Sequence, residues 1–292
     1  KVTLGELAGG DTHGSLFGST RNPYALDRTV GGSSGGSGAS VAANFATIAV
    51  GQEGLASIRR PAAWNSLVGM RPTAGLVSRG GVFAGWPQLT GSLGPMARTM
   101  EDLVALLDVL VGYDPEDPIT ANGAAHVPDS YRPFLDATSL NGARLGIIRE
   151  SIGINSEPES EDFAKVDAVF QQSISELRAA GAVIVDNIAL PDMQDLLSKR
   201  SLGPTENEDS FQEYFSRSSR QPFESIQAMV AAPKFSTITN FAQARFGGTP
   251  SLQKHYTYLT TREELMTSVL RVMADHELDA IVYKAVEHQP TL

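Results

Sequence analysis

"GGSSGGSGAS", residues 31–40, decides how this chain is read, and a second small-residue turn, "GQEGLASIRRP", follows at residues 51–61. Several physical readings compete for such a run. As a phosphate cradle it fails, because Gly36-Ser37-Gly38-Ala39 offers no Gly-Lys-Ser/Thr ending to reach a phosphate. As a nucleophile elbow, Gly31-Gly32-Ser33-Ser34-Gly35 has the G-x-S-x-G spacing. An elbow also demands a strand directly before it, where "RNPYALDRTV" (21–30) brings Pro23 and turn residues. Its base would have to come from His255, His276 or His288. The bland reading is a flexible structural loop.

Composition narrows the classes of function. With 292 residues and 41% apolar content, the chain suits one large or two ordinary globular domains. The net charge is −10, scattered without a basic face, which argues against a nucleic-acid partner, since phosphates call for clustered Lys and Arg. The absence of cysteine excludes disulfides, thiolate nucleophiles and Cys-based metal sites, and a reducing cytoplasm is the expected setting. No apolar run approaches the ~18 residues that would suggest a membrane span, and no membrane partner is expected. The opening "KVTLGELAGGDT" has no Met and reads as the middle of a structured region, so the expectation is a fragment lacking both ends.

Along the chain, residues 1 to about 120 are glycine-rich and loop-rich. They hold one clear helix, "TMEDLVALLDVLVGY", with Thr99 as cap and Asp102 completing a capping box. Pro115 and Pro118 end that region. A β-α-β unit is expected next. "ARLGIIRE" (143–150) is its first strand, residues 160–182 are a helix capped by Ser160 and stopped at Gly181, and "VIVDN" is the second strand. Polar helical sequence fills 191 to about 275, and "DAIVY" (279–283) reads as a buried strand.

Taken together, the two turns resemble the amidase signature family, whose hallmark is G-G-S-S-G-G-S followed by G-T-D-T-G-G-S-I-R-x-P. These elements stand here as Gly31 to Ser37 and as Gly51 to Pro61. The likeness begins at "FGSTRNPYALDRT" and continues through "GMRPTAGLVSRGGV" and "GSLGPMARTMEDLVALLDVLVGYDP", so it covers roughly residues 1 to 118. It implies an α/β fold with a mixed β-sheet core sandwiched between layers of α-helices. Residues 1–118 would form the partial signature core. Residues 119–292 would be the remainder of the same domain, carrying the variable part of the substrate pocket.

The resemblance also implies a Ser-Ser-Lys triad and an acyl-enzyme, with no metal and no organic cofactor. Ser57 would be the nucleophile. Ser33, 24 residues earlier, would be the bridging serine, held by a cis peptide after Gly32. A neutral lysine would take the proton, which is coherent because burial lowers a lysine's pKa. The N–H groups of Gly54, Leu55, Ala56 and Ser57 would form the oxyanion hole, although Leu55 and Ala56 stand where the family usually has glycines. Ser34 and Ser37 would hold the loop, Ser37 also capping a helix over "GASVAANFATIAV" (38–50). Arg59 would tie loops together, Arg60 is a candidate ligand for an anionic substrate, and Thr12 and His13 lie in a loop that nears the pocket in this family.

One departure is the lysine. In the family it precedes the glycine-rich run, whereas Lys1 aligns with a later, noncatalytic position and Lys165, Lys199, Lys234, Lys254 and Lys284 all lie downstream. Ser251-Leu252-Gln253-Lys254 spells S-x-x-K without its partner motifs. The expected function is hydrolysis of a small-molecule amide, or a related carbamate or ester, in a form compatible with a homodimer. The alternatives are the glutaminase component of a tRNA-dependent amidotransferase, and an inactive member that serves as a binding subunit.

Overall fold

The computed structural model describes residues 12–14, 17–54, 56–82, 91–149, 157–186, 188–199, 207–232 and 251–288. It divides into two units, residues 1–135 with 204–250 and 290–292, and residues 136–203 with 251–289.

The first unit opens with two small antiparallel pairs, β1 (His13–Gly14) with β2 (Gly18–Ser19) and β3 (Arg21–Asn22) with β4 (Ala25–Thr29). A strand therefore does precede the glycine-rich run, contrary to the expectation from Pro23. The proline and Tyr24 occupy the turn of a hairpin, so they punctuate two strands rather than replace one. Helix α1 (Gly35–Ala42) follows, then β5 (Ile48–Glu53), α2 (Arg59–Trp64), β6 (Val68–Gly69), β7 (Ser92–Ala97), α3 (Met100–Leu110) and α4 (Ala121–Ala124).

The helix expected over 38–50 is shorter and starts earlier. Asn44 takes a left-handed φ of 62° and its side-chain oxygen accepts from Arg98, which turns the chain back. The apolar "IAV" at 48–50 then pairs with β7 instead of continuing the helix.

Strands β5, β7 and β6 form an antiparallel sheet in that order, with Gly51 opposite Gly94 and Glu53 opposite Ser92. Successive residues of β7 point to opposite faces. Met96 packs with Ile58 and Ala62 of the α2 segment, and Ala97 packs with Leu103 and Val104 of α3. The sheet thus lies between two helices. Thr99 caps α3, accepting the Asp102 N–H at 3.1 Å.

The second unit contains β8 (Arg144–Ile147), α5 (Glu161–Ala179), β9 (Val183–Val185) and α6 (Met193–Ser198). Helices α7 (Asn207–Ser216) and α8 (Ile226–Val230) belong to the first unit, and α9 (Leu252–Asp275) and β10 (Ala280–Val282) complete the second. The β-α-β reading holds: β8 pairs with β9 in parallel, and β10 joins β8 on its other side. Ser160 accepts the Phe163 N–H at 3.1 Å, and Gly181 follows the helix end at φ +97°. Ile147 packs on Phe170 and Ile174 of α5, while Ile148 clusters with Val272 of α9, so this sheet too has helices on both faces. Parallel and antiparallel sheets with helical layers make the chain α/β.

Candidate active site

Strand β4 delivers the chain into the glycine-rich turn, and buried polar side chains from other segments fix that turn. Thr12, with no solvent exposure, donates its hydroxyl to the Gly31 carbonyl at 2.6 Å and accepts the Gly35 N–H at 3.1 Å. That second bond supplies an acceptor to one of the free N–H groups at the start of α1. It also explains why α1 begins at Gly35, with Ser34 as a cap position whose side chain makes no cap bond. Ser37 is therefore inside the helix and does not cap it. Thr29 accepts the Gly31 N–H at 3.1 Å, and buried Asn65 donates to the Val30 and Pro61 carbonyls at 2.9 and 2.7 Å.

The two serines flanking the helix start serve the sheet. Ser34 donates to the Gln52 carbonyl at 3.1 Å and accepts the Gln52 N–H at 3.0 Å, while Ser37 donates to the Val50 carbonyl at 2.8 Å. Residues 50 and 52 expose their backbone groups on the same side of β5, the edge away from β7. Serines three positions apart on one helical turn match that spacing and satisfy the edge.

The second turn leaves β5 at Glu53 and passes Ser57 into α2. The Ser34 N–H donates to the Ser57 carbonyl at 3.2 Å, which brings Ser33 and Ser57 onto adjoining backbone. The Gly32–Ser33 peptide is cis. Both serines are partly accessible. Among the described residues, no hydrogen bond engages the N–H of Ala56 or Ser57, whereas those of Ile58 and Arg59 are both held by Glu53. Leu55, the remaining expected donor, lies outside the described residues; Gly54 is described and half-buried.

The sequence profile of the family described as Amidase matches residues 6–292. The chain belongs to the amidase family. It is 42% identical over 185 residues to the (A) subunit of the glutamyl-tRNA(Gln) amidotransferase of Microcystis aeruginosa, a stretch covering 63% of this chain and 36% of that protein. A probable amidase of Arabidopsis thaliana is 36% identical over 184 residues, covering 63% of this chain and 33% of that one. Among solved structures, the native peptide amidase of Stenotrophomonas maltophilia matches with a TM-score of 0.78 and 28% identity, covering 97% of this chain and 60% of that one. The chain thus spans about a third of the length of these curated amidase relatives and about three fifths of that solved amidase.

Other expected residues of this amidase-family chain divide clearly. Arg59 ties loops, its Nε donating to Glu53 at 2.8 Å. Arg60 lies over the Trp64 ring with its guanidinium carbon 5.7 Å from the centroid. Burial, aided by the neighbouring Arg59 charge, pulls its pKa below the ordinary arginine value. His13 places Nδ1 2.9 Å from the Ser19 hydroxyl, an interaction within the β1–β2 pair. His276 and His288, named as bases for an elbow, are exposed residues of the second unit, and nothing is described of the His255 side chain.

The four described lysines all belong to the second unit, whereas Ser33 and Ser57 belong to the first. Lys165 pairs with Glu161 and Lys199 with Asp195 on exposed helical surface. Lys254 is exposed, and Ser251 of the S-x-x-K spelling caps α9 by accepting the Lys254 N–H at 3.3 Å. Lys284 is buried against Asp167 at 2.8 Å and lies 4.3 Å from the centre of the Phe163 ring. Lys1 and Lys234 lie outside the described residues.

Sequence reasoning missed Asn65, Thr29 and above all Glu53. Glu53 stands at the acidic position of the G-T-D-T-G-G-S pattern, which was the available signal. Among the described residues, no group of His, Asp and Glu side chains could hold a metal ion, and no helix is long and apolar enough to cross a membrane.

Proposed function

We propose that the protein hydrolyses the C–N bond of a linear amide through an acyl-enzyme on Ser57, with Ser33 as the bridging proton carrier. The observation that carries this reading is the joining of the two turns: the Ser34 N–H holds the Ser57 carbonyl, and among the described residues nothing engages the N–H groups of Ala56 and Ser57 beside it. In the first step Ser57 Oγ attacks the carbonyl carbon while its proton passes to Ser33 and on to the base, a lysine by family resemblance. The N–H groups of Gly54, Leu55, Ala56 and Ser57 receive the oxyanion. The relayed proton then reaches the leaving amine, and water releases the acid by the reverse route.

A small-molecule or peptide amide in a cytoplasmic setting is the substrate class we favour, supported by similarity to the peptide amidase. The 42% identity to the amidotransferase component keeps a second reading in view, in which the amide is glutamine and partner proteins receive the ammonia.

The test is an amide panel on the full-length protein: aryl, aliphatic and peptide C-terminal amides, and glutamine. Ser57→Ala should abolish turnover of whichever is cleaved while leaving the melting temperature unchanged. Ser33→Ala should lower kcat by about 10³-fold or more, as triad members elsewhere do. A Ser57→Ala variant retaining a tenth of wild-type kcat would refute the assignment. Labelling by a fluorophosphonate at Ser33 instead would revive the elbow, for which β4 now supplies the strand.

A further inference from the structure

Glu53 has no solvent exposure, carries a carboxylate, and has no part in the acyl-transfer steps above. Its Oε2 accepts the Ile58 N–H at 2.8 Å and the Arg59 N–H at 2.9 Å, and its Oε1 accepts Arg59 Nε at 2.8 Å. Those are the two backbone donors immediately after Ser57. The carboxylate itself hangs from the last residue of β5, opposite Ser92 of β7, so it is anchored to the sheet rather than to a loop.

A second contact fixes the same point of the chain. Ile58 is fully buried in a socket where β5, β6 and β7 each present a glycine. A Cβ added to Gly51 would lie 2.9 Å from Ile58 Cγ1, one on Gly69 3.1 Å from Cγ2, and one on Gly94 3.1 Å from Cδ1. The Gly51 contact is the tightest of the three against Ile58. At Gly69 and Gly94 an added Cβ would meet Ala62 Cβ at 2.6 Å and the Met70 carbonyl at 2.0 Å more closely still, so the strands give up side chains around Ile58 and its neighbours together. The residue after Ser57 is therefore gripped by its side chain from the sheet and by its N–H from Glu53.

We propose that Glu53 is a positioning residue for Ser57. Its charged carboxylate sets the backbone of the turn so that the serine hydroxyl and the N–H groups before it face the same reacting carbonyl. This rests on the reading of Ser57 as the nucleophile. Proton transfer is not its role: both oxygens are occupied by donors, and its charge is balanced by Arg59. Charge-assisted bonds of this kind are about twice as strong as neutral ones, and a displacement of about 1 Å at a reacting group costs about 10²-fold in rate.

The test compares full-length wild type with Ser57→Ala, Glu53→Gln and Glu53→Asp. The readouts are kcat, KM, the pH profile, the melting curve and the second-order rate of fluorophosphonate labelling with the labelled residue mapped. Glu53→Gln turns an amide N–H₂ toward the Arg59 guanidinium or toward the two backbone donors. For its folded fraction we expect kcat and labelling rate to fall about 100-fold, with KM within about threefold and the pH profile unshifted. Glu53→Asp keeps the charge but withdraws it by one methylene, and should lose about tenfold. If Glu53→Gln does not fold, the aspartate variant decides by the same readouts. A folded variant that matches wild type within threefold, while wild type labels at Ser57, overturns the positioning role and leaves the nucleophile standing. A displaced limb of the pH profile also overturns it, since that marks an acid or base. Wild type that fails to label at Ser57 overturns both readings.

Discussion

Replacing Thr12 by valine removes one oxygen and almost no volume from a site with no solvent exposure. The lost hydroxyl donates to the Gly31 carbonyl at 2.6 Å and accepts the Gly35 N–H at 3.1 Å, and both glycines are buried. Neither group has another hydrogen-bond partner among the described residues once Thr12 is gone. A buried polar group left unmet costs about 1–3 kcal/mol, so the pair costs about 2–6 kcal/mol, with ~3 kcal/mol as the central expectation. Thr12→Ser keeps the oxygen and loses a methyl, at about 1 kcal/mol. Urea unfolding of both variants measures the contrast, and at about 2–4 °C per kcal/mol the valine variant should melt ~6–12 °C below wild type. Because the loop it pins carries Ser33, kcat should fall in the valine variant well below that of the serine variant. Thr12→Val within about 0.5 kcal/mol of wild type, or Thr12→Ser as damaging as valine, would refute the argument that Thr12 pins the loop through its hydroxyl.

Ser34→Ala removes two bonds to Gln52 and should cost about 2 kcal/mol, whereas Ser37→Ala removes one exposed bond to Val50 and should cost under about 1 kcal/mol; losses below about 0.5 kcal/mol for both in urea would show that the edge of β5 does not depend on this pair. Asp117 is held below the usual carboxylate range mainly by its side-chain hydrogen bond to Arg79, so its stabilisation is complete above the unfolded value near ~3.9 and is lost as pH falls through the lower folded value. Arg79→Gln should therefore destabilise at pH 7 yet lose less stability than wild type between about pH 4 and pH 2, as urea midpoints across that range will show. With a neutral lysine as base, kcat/KM should rise with pH to an alkaline plateau and survive a chelator; inactivation by the chelator with recovery on adding zinc would exclude the mechanism.

The sequence alone carried the helix caps and the β-α-β unit, whose causes are local, although the hairpin turned at Pro23 and Tyr24 escaped it. Thr99 and Ser160 announce their helices because a cap needs only an oxygen three residues before its donor, and both donors are where the spacing puts them. The β-α-β unit was legible because apolar runs and an amphipathic helix of the right length leave a parallel pair as the economical solution. The paired turns were legible as a family pattern, and the family match bears that out. What the sequence left undecided depends on partners distant along the chain. Residues 38–50 all permit a continuous helix, but Ile48–Glu53 gains more by pairing with a strand about forty residues later. A serine beside a helix start usually caps it, which makes Ser37 a candidate; the structure instead gives that start to Thr12, 23 residues before Gly35. Glu53 shows the limit most plainly. Its place in the second turn marks the position, but only the folding of Ser57's turn back over the end of β5 gives its carboxylate two backbone donors and a guanidinium to hold. A buried charge is tolerable only with such partners, and tertiary structure alone can assemble them.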